Sequence, residues 1–204
     1  SKKMRLGAVQ SVQRTRLTLF RSHTMSRISI PPTAQTPAAS LPLLDAVQRQ
    51  LGVVPNLMKL VGHSPAALEG YLSLNGVLAK GSIGGKTTER IALAVAELNG
   101  CAYCLSAHSY LGSNLAKLDA AELDANRRGT SADPKAAAAL RFATQVVKAR
   151  GQVSDADVAD VKAAGYTEAE VIEIVTLVAL NTLTNYVNNV AHTDIDFPVV
   201  NPFN

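Results

Sequence analysis

An all-α fold is predicted for this chain, and three features predict it. Ala and Leu dominate the 204 residues, while aromatics make up only 4% and Trp is absent. Helices pack well on small and straight-chain residues, whereas pleated sheets draw on β-branched and aromatic ones. Apolar residues recur at three- and four-residue spacing in segment after segment, and no stretch sustains strand alternation. Gly, Pro and Ser/Thr/Asp fall where such segments begin and end. At 47% hydrophobic and 18% charged, the length suits one compact helical domain that buries its core without disulfide staples.

The elements follow in order. Leu41 to Leu51 carries Leu43, Leu44, Val47 and Leu51 at helical spacing and stops at Gly52. Pro55 opens a short helix to Val61, at a position where its missing N–H costs nothing. Ser64-Pro65 opens a longer one through Leu78, and Gly81, Gly84 and Gly85 mark the turn after it. Thr87 or Thr88 caps a helix from Glu89 to Leu98, which stops near Gly100. The next runs from about Ala102 to Leu111 and closes at Gly112. Others start near Asp119, span Asp133-Pro134 to Ala149, and span Ser154 to Ala164. Thr167-x-x-Glu170 is a capping box opening a last long helix to about Val190.

Charge divides the chain. Against 20 Lys and Arg stand 16 Asp and Glu, a net +4. Seven of the bases (Lys2, Lys3, Arg5, Arg14, Arg16, Arg21 and Arg27) lie in the first thirty residues, where there is no acid. Residues 31–204 therefore hold 13 bases against 16 acids, and this mildly acidic body offers no footprint for nucleic acid. Residues 1–24 have the composition of an organelle transit peptide. Met25 is the competing start, with Ser1 a remnant of tag cleavage. Residues 1–39 thus read as a basic extension and Pro-rich arm, and 40–204 as the helical domain. The longest apolar run, Val171 to Leu183, is too short and too interrupted by Glu173, Thr176, Asn181 and Thr182 to span a bilayer, so no membrane partner is expected.

Chemistry concentrates between Glu89 and His108. Cys101 and Cys104 are three apart, and Cys104 and His108 four apart, so a helix starting near Cys101 carries all three on one face. Gly100 breaks the preceding helix, so Glu89 would return to that face from a neighbouring element. A thiol at a helix N-terminus meets unpaired N–H groups and the positive end of the dipole, both of which favour thiolate. A His one turn away takes a proton, and a carboxylate holds that His or relays the proton. The two cysteines are too few for a secreted disulfide scaffold. A thioredoxin-type pair would follow a strand, but Ile91 to Leu98 is helical in period. A c-type haem needs His where Leu105 stands. A structural zinc would take Cys101, Cys104 and His108 with Glu89 or His192 as fourth ligand, and two small buried thiols in an Ala-rich core remain the blandest alternative.

The string resembles the signature of the carboxymuconolactone decarboxylase superfamily, in its alkyl hydroperoxidase D-like, peroxidase-related branch. That signature is Glu, eleven residues, Cys-x-x-Cys, three residues, His, with Asn ahead of the first Cys; here these are Glu89, Asn99, Cys101, Cys104 and His108. The tail Leu180-Asn-Thr-Leu-Thr-Asn-Tyr-Val-Asn and Asp194-Ile-Asp-Phe-Pro is similar to the same branch, and the resemblance spans about residues 40–200. It implies a compact helical bundle assembling into homo-oligomers, trimers or hexamers, that reduces organic hydroperoxides or hydrogen peroxide. It also implies that Cys104 is the peroxidatic thiol and Cys101 the resolving one, with His108 and Glu89 the proton relay. Position alone leaves open that Cys101 attacks or meets the reductant first. Some members carry His immediately before the second Cys; here that residue is Tyr103, a poor base near neutrality, so the relay rests on His108 and Glu89.

Asn181, Asn185, Asn188 and Asn189 recur at helical spacing on the last helix, opposite Val175, Val178 and Leu183. Buried amides need partners, so that face meets water, a subunit or a polar pocket; in the last case Asn181 or Asn185 stands beside the dithiol. His63 and His192 read as capping or surface residues, and Gly81 to Gly85 as a turn without phosphate-loop spacing. The expectation is a thiol peroxidase with a His/Glu relay, a small hydroperoxide substrate and an unidentified thiol or dithiol reductant. Tyr103, Asn99, Asn181 and Asn185 are its candidate pocket residues. No metal, haem, flavin or nicotinamide is required, since the cysteines carry the electrons. A disulfide-transfer adaptor is the alternative, and a lactone decarboxylase a weaker one. Chemistry that needs a reductant points to the cytoplasm, or to an organelle if 1–24 is a genuine leader.

Overall fold

The computed structural model describes residues 26–203, and the leader reading of 1–24 lies outside them. All regular structure in the described residues is helical: two short 3-10 turns at Thr33–Gln35 and Ala38–Ser40, then nine α-helices. These are α1 (Leu41–Leu51), α2 (Asn56–Val61), α3 (Pro65–Leu78), α4 (Gly85–Leu98), α5 (Ala102–Asn114), α6 (Ala120–Arg127), α7 (Pro134–Lys148), α8 (Asp155–Ala163) and α9 (Glu168–Ala191). Five of the expected caps form, whereas Thr87 and Thr88 lie inside α4 and cap nothing. Ser64 accepts from the Ala67 N–H, Asp119 from Glu122, and Asp133 from Lys135 and Ala136. Ser154 and Thr167 each close a full capping box, satisfying two otherwise unpaired groups at each helix start.

Helix α4 is the axle. Ile91 through Ala96 are buried without interruption, so α4 is covered on every side. Its alternating small residues, Ala92, Ala94 and Ala96, let α5, α6, α7 and α9 close around it. One core cluster gathers Ile91, Val95, Leu140, Phe142, Val161, Ile174 and Leu177 where α4, α7, α8 and α9 meet. The second gathers Leu57, Met58, Leu68, Leu93, Leu105 and both cysteines. It is roofed by Ile195, Phe197 and Val200 of the segment after α9.

Two glycine readings change. Helix α4 starts four residues earlier than expected, at Gly85, with Gly84 at φ +77° taking the turn. Helix α5 runs through Gly112 to Asn114, because Gly112 is a contact point rather than a stop: a Cβ there would lie 2.9 Å from a Leu123 methyl of α6.

Of the alternatives left open for the asparagine face of α9, the structure takes the inward one. Asn181, Asn185 and Asn188 are buried, whereas Ile172, Val175, Leu183, Tyr186 and Val190 are exposed; Val178 alone of the expected apolar stripe lies inside. By length and composition α9 is the one described helix that could cross a bilayer, but here its asparagine face lies against the dithiol corner. The arm before α1 lies on the end of α9. The Arg27 N–H donates to the Ala191 C=O at 2.7 Å and the Ser26 hydroxyl to the His192 C=O at 3.0 Å. His192 terminates α9 in the left-handed region, and His63 hydrogen-bonds the Ser29 C=O.

Candidate active site

The corner between α4 and α5 builds the site. Gly100, at φ +62°, closes α4: its N–H reaches the Glu97 C=O at 3.1 Å, and the Cys101 N–H reaches the Ala96 C=O at 2.9 Å. This pair of bonds is the glycine-terminated helix end that a left-handed residue permits. Cys101 thereby becomes the N-cap of α5, in extended conformation, and its Sγ accepts the Cys104 N–H at 3.2 Å. Cys104 sits in the first turn of α5 with His108 one turn further. Because α5 folds back along α4, Glu89 meets His108, Nδ1 to Oε2 at 2.8 Å.

Both thiols are free, and both are almost wholly buried, Cys101 at 0% and Cys104 at 3% exposure. Their environments push them apart. A hydrogen bond from Cys101 lowers the Cys104 pKa to about 7 against burial, helped by the His108 charge and the Asn188 and Asn185 amides. The same bond to Cys104, with burial, pushes Cys101 up. Burial works against a charged His108, but the Glu89 carboxylate beside it raises its pKa above the ordinary 6.5. These shifts favour ionisation of Cys104 over Cys101 and a protonated His108 beside it.

The asparagines tie α9 to this corner. Asn188 donates Nδ2 to Cys104 Sγ at 3.3 Å. Asn99 donates to Asn185 Oδ1 at 2.9 Å, and Asn189 to the Asn99 C=O at 2.8 Å. A cavity of about 80 Å³ opens over Cys104 and is lined, among others, by Tyr71, Glu89, Tyr103, His108, Asn181 and Thr184. Of the pocket residues expected from sequence, Tyr103 and Asn181 line it, while Asn185 and Asn99 stand behind the thiol. Cys101 is not part of the lining. Tyr103 has its hydroxyl fully engaged, accepting from the Leu57 N–H at 3.1 Å and donating to Asp196 at 2.8 Å. Burial and that carboxylate raise its pKa. It is neither base nor acid here. Among the described residues no group of three or more His, Cys, Asp and Glu is arranged to hold a metal. His192, the other zinc candidate, is the C-cap of α9, one turn beyond Asn188, and does not line the cavity.

Two residues escaped the sequence reading. Asn188 was visible as part of the stripe, and its i, i+7 spacing from Asn181 is the signal that it shares the inward face. Tyr71 carries no motif, since it arrives from α3 only through folding.

The carboxymuconolactone decarboxylase family model matches residues 65–145, from α3 to α7, and so contains Glu89, both cysteines and His108. A peroxidase-related protein with an alkylhydroperoxidase core, from Ralstonia eutropha JMP134, superposes with a TM-score of 0.74 at 27% identity, covering 86% of this chain and 94% of its own. The chain is thus similar to the carboxymuconolactone decarboxylase family over the stretch that carries the Cys101–Cys104 pair, and it shares the fold of alkyl hydroperoxidase D-like, peroxidase-related proteins. A peroxidase-related protein from Silicibacter sp. TM1040 shares the fold at the same TM-score of 0.74 and 21% identity, with 86% and 94% covered. So does the debrominase Bmp8, at 0.68 and 19%, with 83% and 92% covered. No curated protein matches the sequence significantly. An alkyl hydroperoxidase D-like fold supports a peroxidase-related role at the level of the family, and the debrominase shows that the fold is not confined to it.

Proposed function

We propose that this protein is a thiol peroxidase that reduces small hydroperoxides through its Cys101–Cys104 pair. The observation that carries the reading is Cys104. It is the cysteine of the two that lines the cavity, its pKa is lowered to about 7, and it lies one helical turn from a histidine held by Glu89. The Cys104 thiolate attacks the terminal peroxide oxygen, the O–O bond breaks, and Cys104 becomes a sulfenic acid. The alkoxide (or hydroxide) takes its proton from the His108 imidazolium, whose orientation Glu89 fixes. The Cys101 thiol then attacks the sulfenic sulfur, forming the disulfide and releasing water. Two electrons leave the dithiol and reduce the peroxide, and an external thiol restores the pair.

Burial favours this over a disulfide-transfer adaptor. An adaptor exchanges with a protein in both half-reactions, at cysteines that are here 0% and 3% exposed, whereas a peroxidase admits a small oxidant in one of them. Homo-oligomerisation belongs to the same reading. It is supported by the outward apolar row of Ile172, Val175, Leu183, Tyr186 and Val190 on α9, a face that burial against a second subunit would shield from water.

The test is a single turnover. The fully reduced protein receives one equivalent of tert-butyl hydroperoxide under anaerobic conditions, and quenched samples are read by intact mass. Loss of two hydrogens within seconds, and an added oxygen trapped in Cys101→Ser, is the expected result. Thiols still reduced after many minutes would overturn the peroxidase reading.

A further inference from the structure

We propose that Tyr71 binds the hydroperoxide, donating its phenolic hydrogen bond to the O–O group and holding it over Cys104; this rests on the peroxidase reading above. Two tyrosines line the cavity, and they differ in what their hydroxyls do. That of Tyr103 is spent on the Leu57 N–H and Asp196. That of Tyr71 makes no hydrogen bond among the described residues, although its ring packs into the second core cluster beside the dithiol. A phenol set into a core ordinarily finds a partner for its hydroxyl. The hydroxyl of half-buried Tyr71 has no protein partner among the described residues and is open to solvent, so on the wall of a cavity shared with Cys104 and His108 it is free to donate to a ligand.

The backbone holds this phenol in place. The Ser64 cap and Pro65 start α3, and Leu68, wholly buried one turn before Tyr71, anchors the same face. The cavity of about 80 Å³ has room for two or three waters, so a hydroperoxide entering it brings its O–O group near the thiol and the phenol together. Burial, with the nearby charges of Cys104 and Glu89, pushes the Tyr71 pKa up to about 12, so the hydroxyl keeps its proton throughout turnover. It donates a hydrogen bond and transfers nothing. The proton for the leaving oxygen comes from His108, and the electron balance is unchanged.

Tyr71→Phe removes the donor and leaves every described protein hydrogen bond intact, so the fold and its melting temperature should survive. Three rates or titrations are compared in the full chain: oxidation of Cys104 by tert-butyl hydroperoxide, its alkylation by iodoacetamide, and its thiolate absorbance against pH. A donor aimed at the reacting oxygens predicts about a 100-fold slower oxidation, with alkylation and titration unchanged. Oxidation as fast as in the parent protein would overturn the assignment. So would a parallel loss in oxidation and alkylation, which would mean that Tyr71 acts on the sulfur. If the parent protein itself ignores the hydroperoxide, the peroxidase reading fails first, and the variant is not the cause.

Discussion

Replacing Cys101 tests the electrostatics of the site most directly. The hydrogen bond from Cys101 is the largest influence holding the Cys104 pKa near 7 rather than the ordinary 9.0. Cys101→Ala removes it and leaves the burial that opposes ionisation, so the Cys104 pKa should rise towards 9. A full two-unit rise corresponds to about 2.7 kcal/mol. At pH 7 the thiolate fraction then falls from about one half to about 1%, roughly 50-fold. A more basic thiolate is intrinsically more nucleophilic, by about 8-fold over two units, so alkylation at pH 7 should slow only about 6-fold. Above about pH 8 the order inverts, and the variant reacts faster than the parent. Cys101→Ser keeps a donor and a good helix cap, and should hold the Cys104 pKa within about one unit of the parent value. The Ala variant loses the cap to the Cys104 N–H as well, at about 1 kcal/mol of stability. The assay is absorbance of the thiolate near 240 nm against pH, paired with iodoacetamide alkylation. A Cys104 pKa that stays near 7 in Cys101→Ala would refute the claim that its neighbour activates it.

Other consequences can be checked in the same preparations. The peroxidase rate should rise as pH increases through about 7, where Cys104 ionises, and fall again once His108 loses its proton. Because Glu89 raises the His108 pKa, Glu89→Gln should move the falling limb to lower pH and narrow the profile; a falling limb that stays put would remove Glu89 from the relay. Asn188→Leu replaces an amide whose Oδ1 is buried and unpaired among the described residues. It should cost little stability yet raise the Cys104 pKa by less than the Cys101 variant does, as thiolate titration would show. Outside the cavity lining, Glu122 receives the Arg90 guanidinium at 2.9 Å and donors from Ser131, Asn126 and Ala132. Burial opposes its charge, yet these partners hold its pKa at about 2. A depressed folded-state pKa stabilises above the unfolded value near 4.5 and is lost as pH falls towards 2, so urea melts should show a deficit of about 3 kcal/mol for Glu122→Gln at pH 7 that shrinks below pH 4.

How much of this was legible depends on the distance between cause and effect along the chain. Caps at Ser64, Asp119, Asp133, Ser154 and Thr167 were readable because each acts on a backbone N–H two or three residues away. The Cys104–His108 spacing was readable for the same reason. Glu89 could be paired with His108 only on the assumption that the chain reverses at Gly100, which the corner bonds bear out. The asparagine face was harder. Amide side chains and an apolar row alternate around α9, and composition favours putting the apolar row inside. The reverse holds because the inward amides find partners in Asn99 and Cys104.

By itself the sequence determined the helices, their ends, and a dithiol one turn from a histidine, since all of these follow from contacts within a few residues. Only the tertiary structure decided that the dithiol is buried beneath a small cavity, that α9 turns its amides inward, and that Tyr71 of α3 reaches that cavity, walled also by α4, α5 and α9. Those are meetings of surfaces far apart in the chain. Their outcome is set by which faces bury together around α4, and no local spacing encodes that.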